Sequence, residues 1–155
     1  MPYRRLVAIF AILMLAAVPA LAKANFSGDW KLNVSKSEFG QMPAPNSMTQ
    51  KIAHEDPKLR VAAKSSSEQG DFEYDFNFTT DGKECANEIR GNAMKSVLKW
   101  DGDALVIEST GKFGDNEFKM RGKWTLSADG KTLTVESHFS SAMGEGDQKQ
   151  VLEKQ

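Results

Sequence analysis

The residue types most often used in catalysis or metal binding are few and scattered in this 155-residue chain. There are two histidines, His54 and His138, and a single cysteine, Cys85, with no identifiable base beside it. A cysteine nucleophile needs a neighbouring base, and a metal or haem site needs a ligand cluster or an interior ligand. We therefore predict no catalytic residue, no metal site, no cofactor and no enzymatic activity.

Alternation along the chain suggests where these residues face. His54 shares its parity with Ile52 and could point inward at a strand end, so it is the one residue that could ligate a haem. His138 has outward parity. Cys85 shares its parity with Ile89 and is predicted to be a small buried hydrophobe.

Two pairs of carboxylates lie close together in sequence. They are Glu84 with Glu88, and Asp101 with Asp103. Solvated strand faces and turns produce such pairs routinely, and general acid–base catalysis needs groups placed around a substrate. Neither pair predicts catalysis.

Apolar side chains, by contrast, recur at every second position, as in "DFEYDFNFTT" (71–80) and "NEFKMRGKWTL" (116–126). This alternation predicts antiparallel strands with one wet and one dry face. Asp-Gly pairs at 81–82, 101–102 and 129–130, and Asp56-Pro57, separate the runs and predict hairpin turns. The predicted strands lie near 26–34, 47–54, 58–66, 71–79, 83–89, 92–100, 103–112, 115–127, 131–142 and 147–154.

These elements predict an all-β fold, a single antiparallel up-and-down β-barrel of about eight to ten strands. Closure of the meander removes unpaired strand edges. The only helical turn expected after the N-terminal segment is a short one that Ser35 could cap and that ends at Gly40.

The N-terminal segment has the pattern of a secretory signal peptide. Arg4 and Arg5 precede an apolar run from Leu6 to Val18 and the small-residue pattern Ala20-Leu21-Ala22. The run is shorter than the roughly 20 residues that span a bilayer, which argues against an uncleaved anchor. We predict a signal peptide over 1–22, a barrel domain over 23–155, and a secreted or periplasmic protein with no stable membrane span after cleavage.

The charge balance limits the class of partner. The formal net charge is −1 and becomes more negative once Arg4 and Arg5 are removed. Nucleic-acid binding requires a basic surface, so no nucleic-acid partner is predicted. We expect a monomer.

The first predicted strand carries Gly28-Asp29-Trp30, and a Gly-x-Trp at this place resembles the calycins, the lipocalins and fatty-acid-binding proteins. The later segments "TTDGKECANEIRGNAMKSVLKWDGDALVIES" and "ADGKTLTVESHF" resemble the fatty-acid-binding branch in order and spacing. The resemblance implies a lipocalin-like barrel with Gly28 and Trp30 in a structural role. It also implies a cation over the Trp30 ring, from Lys149, Lys154 or Arg121.

The chain departs from that branch in two ways. The connection from Ser35 to Asn46 is too short for the helix-turn-helix lid, and Gln150 and Leu152 stand where the family has the Arg-x-Tyr that holds a carboxylate. Fatty acid as the ligand is thereby put in doubt, whereas an apolar ligand in general is not.

Inward parity assigns twelve residues to a hydrophobic ligand site. The interior of an eight-stranded barrel is either filled by its own side chains or left open for a small ligand. Inward polar residues (Gln50, Ser96, Ser109, Ser137 and Gln150) favour an open interior, because buried polar groups need partners. The predicted ligand-binding residues are Phe72, Tyr74, Phe76, Phe78, Met94, Trp100, Ile107, Phe118, Met120, Trp124, Phe139 and Gln150.

The sequence thus predicts an exported protein that sequesters or carries a small hydrophobic molecule inside a barrel. The alternative is a secreted protein-interaction module, such as a protease or lysozyme inhibitor. Its candidate loops are "FGQMPAP" (39–45) and "SAMGEGD" (141–147), which combine apolar and flexible residues.

Overall fold

The computed structural model describes residues 22–155, so the predicted signal peptide over 1–22 lies almost wholly outside the described residues. The described chain forms ten strands, as the alternation predicted. They are β1 (Gly28–Leu32), β2 (Ser47–Glu55), β3 (Lys58–Ser67), β4 (Gly70–Thr79), β5 (Glu84–Ile89), β6 (Asn92–Asp101), β7 (Ala104–Phe113), β8 (Asn116–Leu126), β9 (Thr132–Ser141) and β10 (Gly144–Lys154).

All ten strands belong to one antiparallel sheet that curls into a nearly closed barrel. The strand order is β4-β3-β2-β1-β10-β9-β8-β7-β6-β5, so all strands that are consecutive in sequence pair with each other except β4 and β5. The first and last strands pair through Trp30 and Lys154. The predicted all-β, up-and-down antiparallel barrel is therefore confirmed.

The barrel is interrupted between β4 and β5, which do not pair through a backbone ladder. Side chains bridge this place instead. The Asn87 amide accepts a hydrogen bond from the Asn77 backbone N–H (2.8 Å) and donates one to its carbonyl (3.0 Å). The buried Cys85 accepts one from the Thr79 N–H at 3.1 Å.

The connection between those strands corrects one turn prediction. Gly82 has the positive φ of 81° that the Asp-Gly pair predicted, but its N–H donates to the Leu98 carbonyl of β6 rather than across a hairpin. The other two Asp-Gly pairs lie in turns between paired strands, with φ of 64° at Gly102 and 70° at Gly130.

Trp30 and the residues before β1 seal one end of the barrel. Trp30 is 1% exposed, and its indole N–H donates to the Phe26 carbonyl at 2.9 Å. Among the three candidate cations, Lys154 lies over the ring, 5.5 Å from its centroid. A Cβ at Gly28 would approach the Lys154 Cε to 2.6 Å, so glycine leaves room for this cation.

The segment after β1 is a short 3₁₀ helix, Val34–Lys36, followed by a loop. Its cap is Asn33, whose side chain accepts from the Lys36 N–H, so the prediction of Ser35 as the cap is wrong. Ser35 instead donates to the Asn33 side chain. Between residues 22 and 155 the structure contains no helix with the length and apolar character needed to cross a bilayer.

Candidate functional site

The barrel interior contains a cavity of about 270 Å³. Its wall is mainly aromatic and aliphatic, with a few uncharged polar side chains. The lining residues are Gln50, Val61, Tyr74, Phe76, Phe78, Ile89, Met94, Ile107, Ser109, Phe113, Phe118, Met120, Gly122, Trp124, Val135, Ser137, Phe139, Gln148 and Gln150.

Two runs of stacked rings form much of this wall. On β4, Tyr74 stacks on Phe76 with ring centroids 4.5 Å apart, because alternate residues of a strand face the same side. On the other side, Phe118 stacks between Phe113 (4.8 Å) and Phe139 (5.8 Å), which belong to its neighbouring strands. The strand pairing thus collects rings from distant segments into one apolar surface.

Ten of the twelve residues predicted for the ligand site line this cavity, and Phe72 and Trp100 do not. Phe72 is half-buried, and the Arg90 guanidinium lies over its ring at 4.5 Å. Arg90 has a φ of 50° in the turn that joins β5 to β6. Phe72 has the predicted parity but sits near the start of β4, beyond the cavity.

Trp100 belongs instead to a cluster at the sealed end, which we call the closed-end cluster: Lys23, Phe26, His54, Asp56, Thr80 and Trp100. Phe26 is fully buried and stacks with His54 (5.7 Å) and with Trp100 (6.0 Å). Trp100 also donates its indole N–H to the Asp56 carboxylate at 3.1 Å.

Electrostatics in the closed-end cluster favour an ionised Asp56 and a neutral His54. The Thr80 hydroxyl, the Lys23 ammonium and the Trp100 indole all donate to the Asp56 carboxylate and lower its pKa to about 2. Burial lowers the pKa of His54, although nearby Asp56 opposes the shift. The His54 Nδ1 accepts from the Phe26 N–H at 3.3 Å.

The cluster packs as a structural plug at the sealed end. Among residues 22–155, no group of three or more His, Cys, Asp or Glu side chains could hold a metal ion. His54 packs against rings at the sealed end and does not line the cavity. His138 lies outside the barrel, with Nδ1 2.8 Å from the Asp147 carboxylate.

Two pairs of polar side chains are buried in or beside the cavity wall. Ser109 lines the cavity, and its hydroxyl hydrogen-bonds at 2.7 Å to that of Ser96, which does not. Both serines are 1% exposed. Gln50 is 6% exposed, and its amide Nε2 donates to the Tyr74 hydroxyl at 3.0 Å. Burial raises the pKa of Tyr74 to about 12.

Several lining residues were absent from the predicted site although the alternation includes them. Phe113 has the inward parity of Ile107 on β7, and Gln148 has the parity of Gln150 on β10. Gly122 has no side chain, so the alternation of apolar side chains could not identify it as a lining residue. A Cβ there would approach the Ile107 Cγ2 to 2.8 Å.

The two segments predicted as loops of a protein-interaction site lie side by side, but in the second only Ala142 and Met143 lie outside β9 and β10. Residues from 39–42 and from 141–146 line a shared surface depression of about 180 Å³. Met42 and Met143, the large hydrophobic side chains most exposed in residues 22–155, both border it and are 45% and 79% exposed. Phe139 and Gln148 line both this depression and the interior cavity.

Comparison with known proteins finds similarity in structure only. No protein-family model matches the chain, and no curated protein matches its sequence. Among solved structures, the zebrafish ileal bile-acid-binding protein complexed with cholic acid is 16% identical, with a TM-score of 0.60. The match covers 84% of this chain and 98% of the zebrafish protein.

Two further solved structures give a similar result. The secretory abundant heat soluble protein 4 of Ramazzottius varieornatus is 18% identical, with a TM-score of 0.56 over 84% of this chain and 94% of its own. Human cRBP IV is 17% identical, with a TM-score of 0.54 over 85% of this chain and 99% of its own. These likenesses confirm the predicted fold, a small antiparallel β-barrel.

Proposed function

We propose that this protein binds a small hydrophobic molecule inside its barrel. The observation that carries the proposal is the interior cavity, which the large aromatic side chains do not fill. A concave apolar pocket with a few convergent polar groups is the usual form of a small-molecule site. The zebrafish structure of the same fold, complexed with cholic acid, supports a ligand of this general class.

The cavity volume limits the size of such a ligand. At about 270 Å³ the cavity lies just below the roughly 300–1,000 Å³ of typical ligand pockets. The structure therefore favours a small ligand, or one that moves side chains on binding.

A fluorescence titration tests the proposal. A neutral naphthylamine dye and n-octanol, which competes with it, are titrated into the protein while the emission of dye and tryptophan is recorded, since Trp124 lines the cavity. We expect saturable dye binding that n-octanol displaces. Ser137→Phe, which adds a ring to the lining, should weaken binding at least tenfold, because the added ring occupies part of the cavity.

Ser140→Phe is the matched control, since Ser140 is on the same strand with opposite parity and does not line the cavity. It should bind the dye as the unmodified protein does. Unsaturable dye binding, or equal affinity in both variants, would rule out a ligand site in the barrel.

The shared loop surface supports a second candidate, a protein-interaction site. The structure places the two predicted loops together, with Met42 and Met143 exposed at their junction. Two exposed methionines are the kind of adaptable apolar surface that binding sites use. If a protein partner is captured from the native source, the double variant Met42→Glu/Met143→Glu should release it, whereas Ser137→Phe should not.

We also propose that the chain is exported, which the pattern over residues 1–22 supports. The full-length chain expressed in a bacterium should yield periplasmic or secreted protein that begins at Lys23. N-terminal sequencing of the fractionated protein tests this, and an intact N-terminus in the cytoplasmic fraction would contradict it.

A further inference from the structure

A hydrogen-bonded pair of polar side chains, Gln50 on β2 and Tyr74 on β4, forms part of the cavity wall. These strands are not neighbours, because β3 lies between them, and Ala63 is the β3 residue in register with both. The small Ala63 side chain leaves room above it for Gln50 and Tyr74 to meet at 3.0 Å. Both residues line the cavity.

The hydrogen bonds of this pair are incomplete. The Gln50 Nε2 donates to the Tyr74 hydroxyl and lies 4.0 Å from the Met48 sulfur. Its Oε1 is buried and has no hydrogen-bond partner among residues 22–155. Since the phenol oxygen accepts from Nε2, its own O–H also remains to be donated. The pair therefore leaves one acceptor, the Gln50 Oε1, and one donor, the Tyr74 O–H, without a partner among residues 22–155.

This situation differs from that of the other buried polar pair. Ser96 and Ser109 are more deeply buried, but each of their hydroxyl oxygens has the other as a partner, whereas the Gln50 Oε1 has none. A buried polar atom without a partner is costly, and natural proteins rarely keep one without a ligand, water or functional reason. Among the lining residues, Gln50 is therefore the one with a buried polar atom that lacks a hydrogen-bond partner.

The charges around the cavity limit what that group can be. Within residues 22–155, no charged side chain lines the cavity. Burial keeps the Tyr74 phenol protonated at neutral pH, so it donates without carrying charge. A carboxylate in this cavity would be buried without a counter-ion, which is strongly unfavourable.

We propose that Gln50 and Tyr74 form the polar recognition site of the cavity and select a neutral hydroxyl group on a small apolar ligand. A hydroxyl both donates and accepts, so one such group satisfies the Gln50 Oε1 and the Tyr74 O–H together. The inference rests on the proposed function, because it requires a ligand in the barrel, and it adds that the ligand is an alcohol and not a carboxylate.

The test compares three probes with one hydrocarbon chain: n-octanol, n-octyl methyl ether and octanoate. The ether cannot donate a hydrogen bond, and octanoate is charged at neutral pH. Calorimetric or dye-displacement titration should show n-octanol binding about tenfold more tightly than the ether, as one added hydrogen bond predicts. Octanoate should bind more weakly than n-octanol.

Gln50→Met keeps the size and flexibility of the side chain but removes its amide. In this variant the preference for n-octanol over the ether should fall to about twofold or less, while the ether keeps its affinity. Tyr74→Phe should also reduce the preference, and it keeps the assay informative if Gln50→Met does not fold. Gln150→Met makes the same change at another lining residue and should retain the preference.

The outcomes separate this inference from the proposed function. If all three probes bind with similar affinity, the recognition site is overturned while a barrel ligand site stands. If no probe binds, the proposed function fails as well. A preference that survives in both Gln50→Met and Tyr74→Phe, or that Gln150→Met removes equally, would also overturn the assignment.

Discussion

Phe26 lies before the first strand, yet it belongs to the buried core of the barrel. It is 0% exposed and packs against three rings, those of His54, Trp100 and Trp124, with centroids 5.7 to 6.0 Å apart. Its carbonyl also accepts the indole N–H of Trp30. We predict that Phe26→Ala opens the sealed end of the barrel and destabilises the whole fold.

The expected loss of unfolding free energy is about 4 kcal/mol. A buried Phe side chain removes roughly 150–250 Å² from water, which at about 25 cal/mol per Å² corresponds to about 4–6 kcal/mol as an upper bound. Measured Phe→Ala substitutions in cores cost about 3–5 kcal/mol. With a urea m-value of about 2 kcal/mol per molar, the midpoint should fall by about 2 M.

Equilibrium unfolding in urea, followed by tryptophan fluorescence, measures this loss. Phe72→Ala is the matched control, because it makes the same change at a half-buried ring near the opposite end of the barrel. The control should lose about 1 kcal/mol. If Phe26→Ala lost no more than the control, the segment before β1 would not seal the barrel, and the reasoning would be wrong.

Two further predictions concern acid stability and the junction between β4 and β5. Because burial lowers the pKa of His54, the unfolded chain binds more protons just below the ordinary pKa of 6.5, so stability should fall as pH drops through this range. A further loss of stability, from protonation of Asp56, should begin near pH 3.8 and continue to about pH 2. When urea unfolding is measured as a function of pH, His54→Phe should flatten only the decline near pH 6.5. Asn87→Ala should cost about 1–2 kcal/mol and speed hydrogen exchange at the Asn77 amide, since its side chain bridges the strands. Asn77→Ala, whose side chain takes no part in that bridge, should change neither quantity, and equal effects of both variants would contradict the bridging role.

The strands of this protein were predictable because each carries its own signal. In β4, every second residue from Phe72 to Phe78 is aromatic and the residues between are polar, and the strand has the expected extent. Positive φ angles at Gly102 and Gly130 likewise follow from local sequence. These features depend on the two-residue period of a strand and on the ability of glycine to adopt positive φ angles. Both are local properties of the sequence.

The placement of individual site residues was less predictable. Trp100 and Ile107 both have inward parity, but Trp100 meets Phe26 and Asp56 at the sealed end, whereas Ile107 lines the cavity. Alternation tells which face of the sheet a side chain takes. It does not tell how far along the barrel axis that side chain lies.

The sequence by itself determined which residues face inward, where most of the hairpin turns lie, and that the interior would be aromatic with few polar groups. Only the tertiary structure decided that β4 and β5 stay unpaired and that Gln50 meets Tyr74 above Ala63. The physical reason is that alternation and turn chemistry act over a few residues. Strand pairing, depth in the barrel and the volume left between side chains depend on residues far apart in sequence.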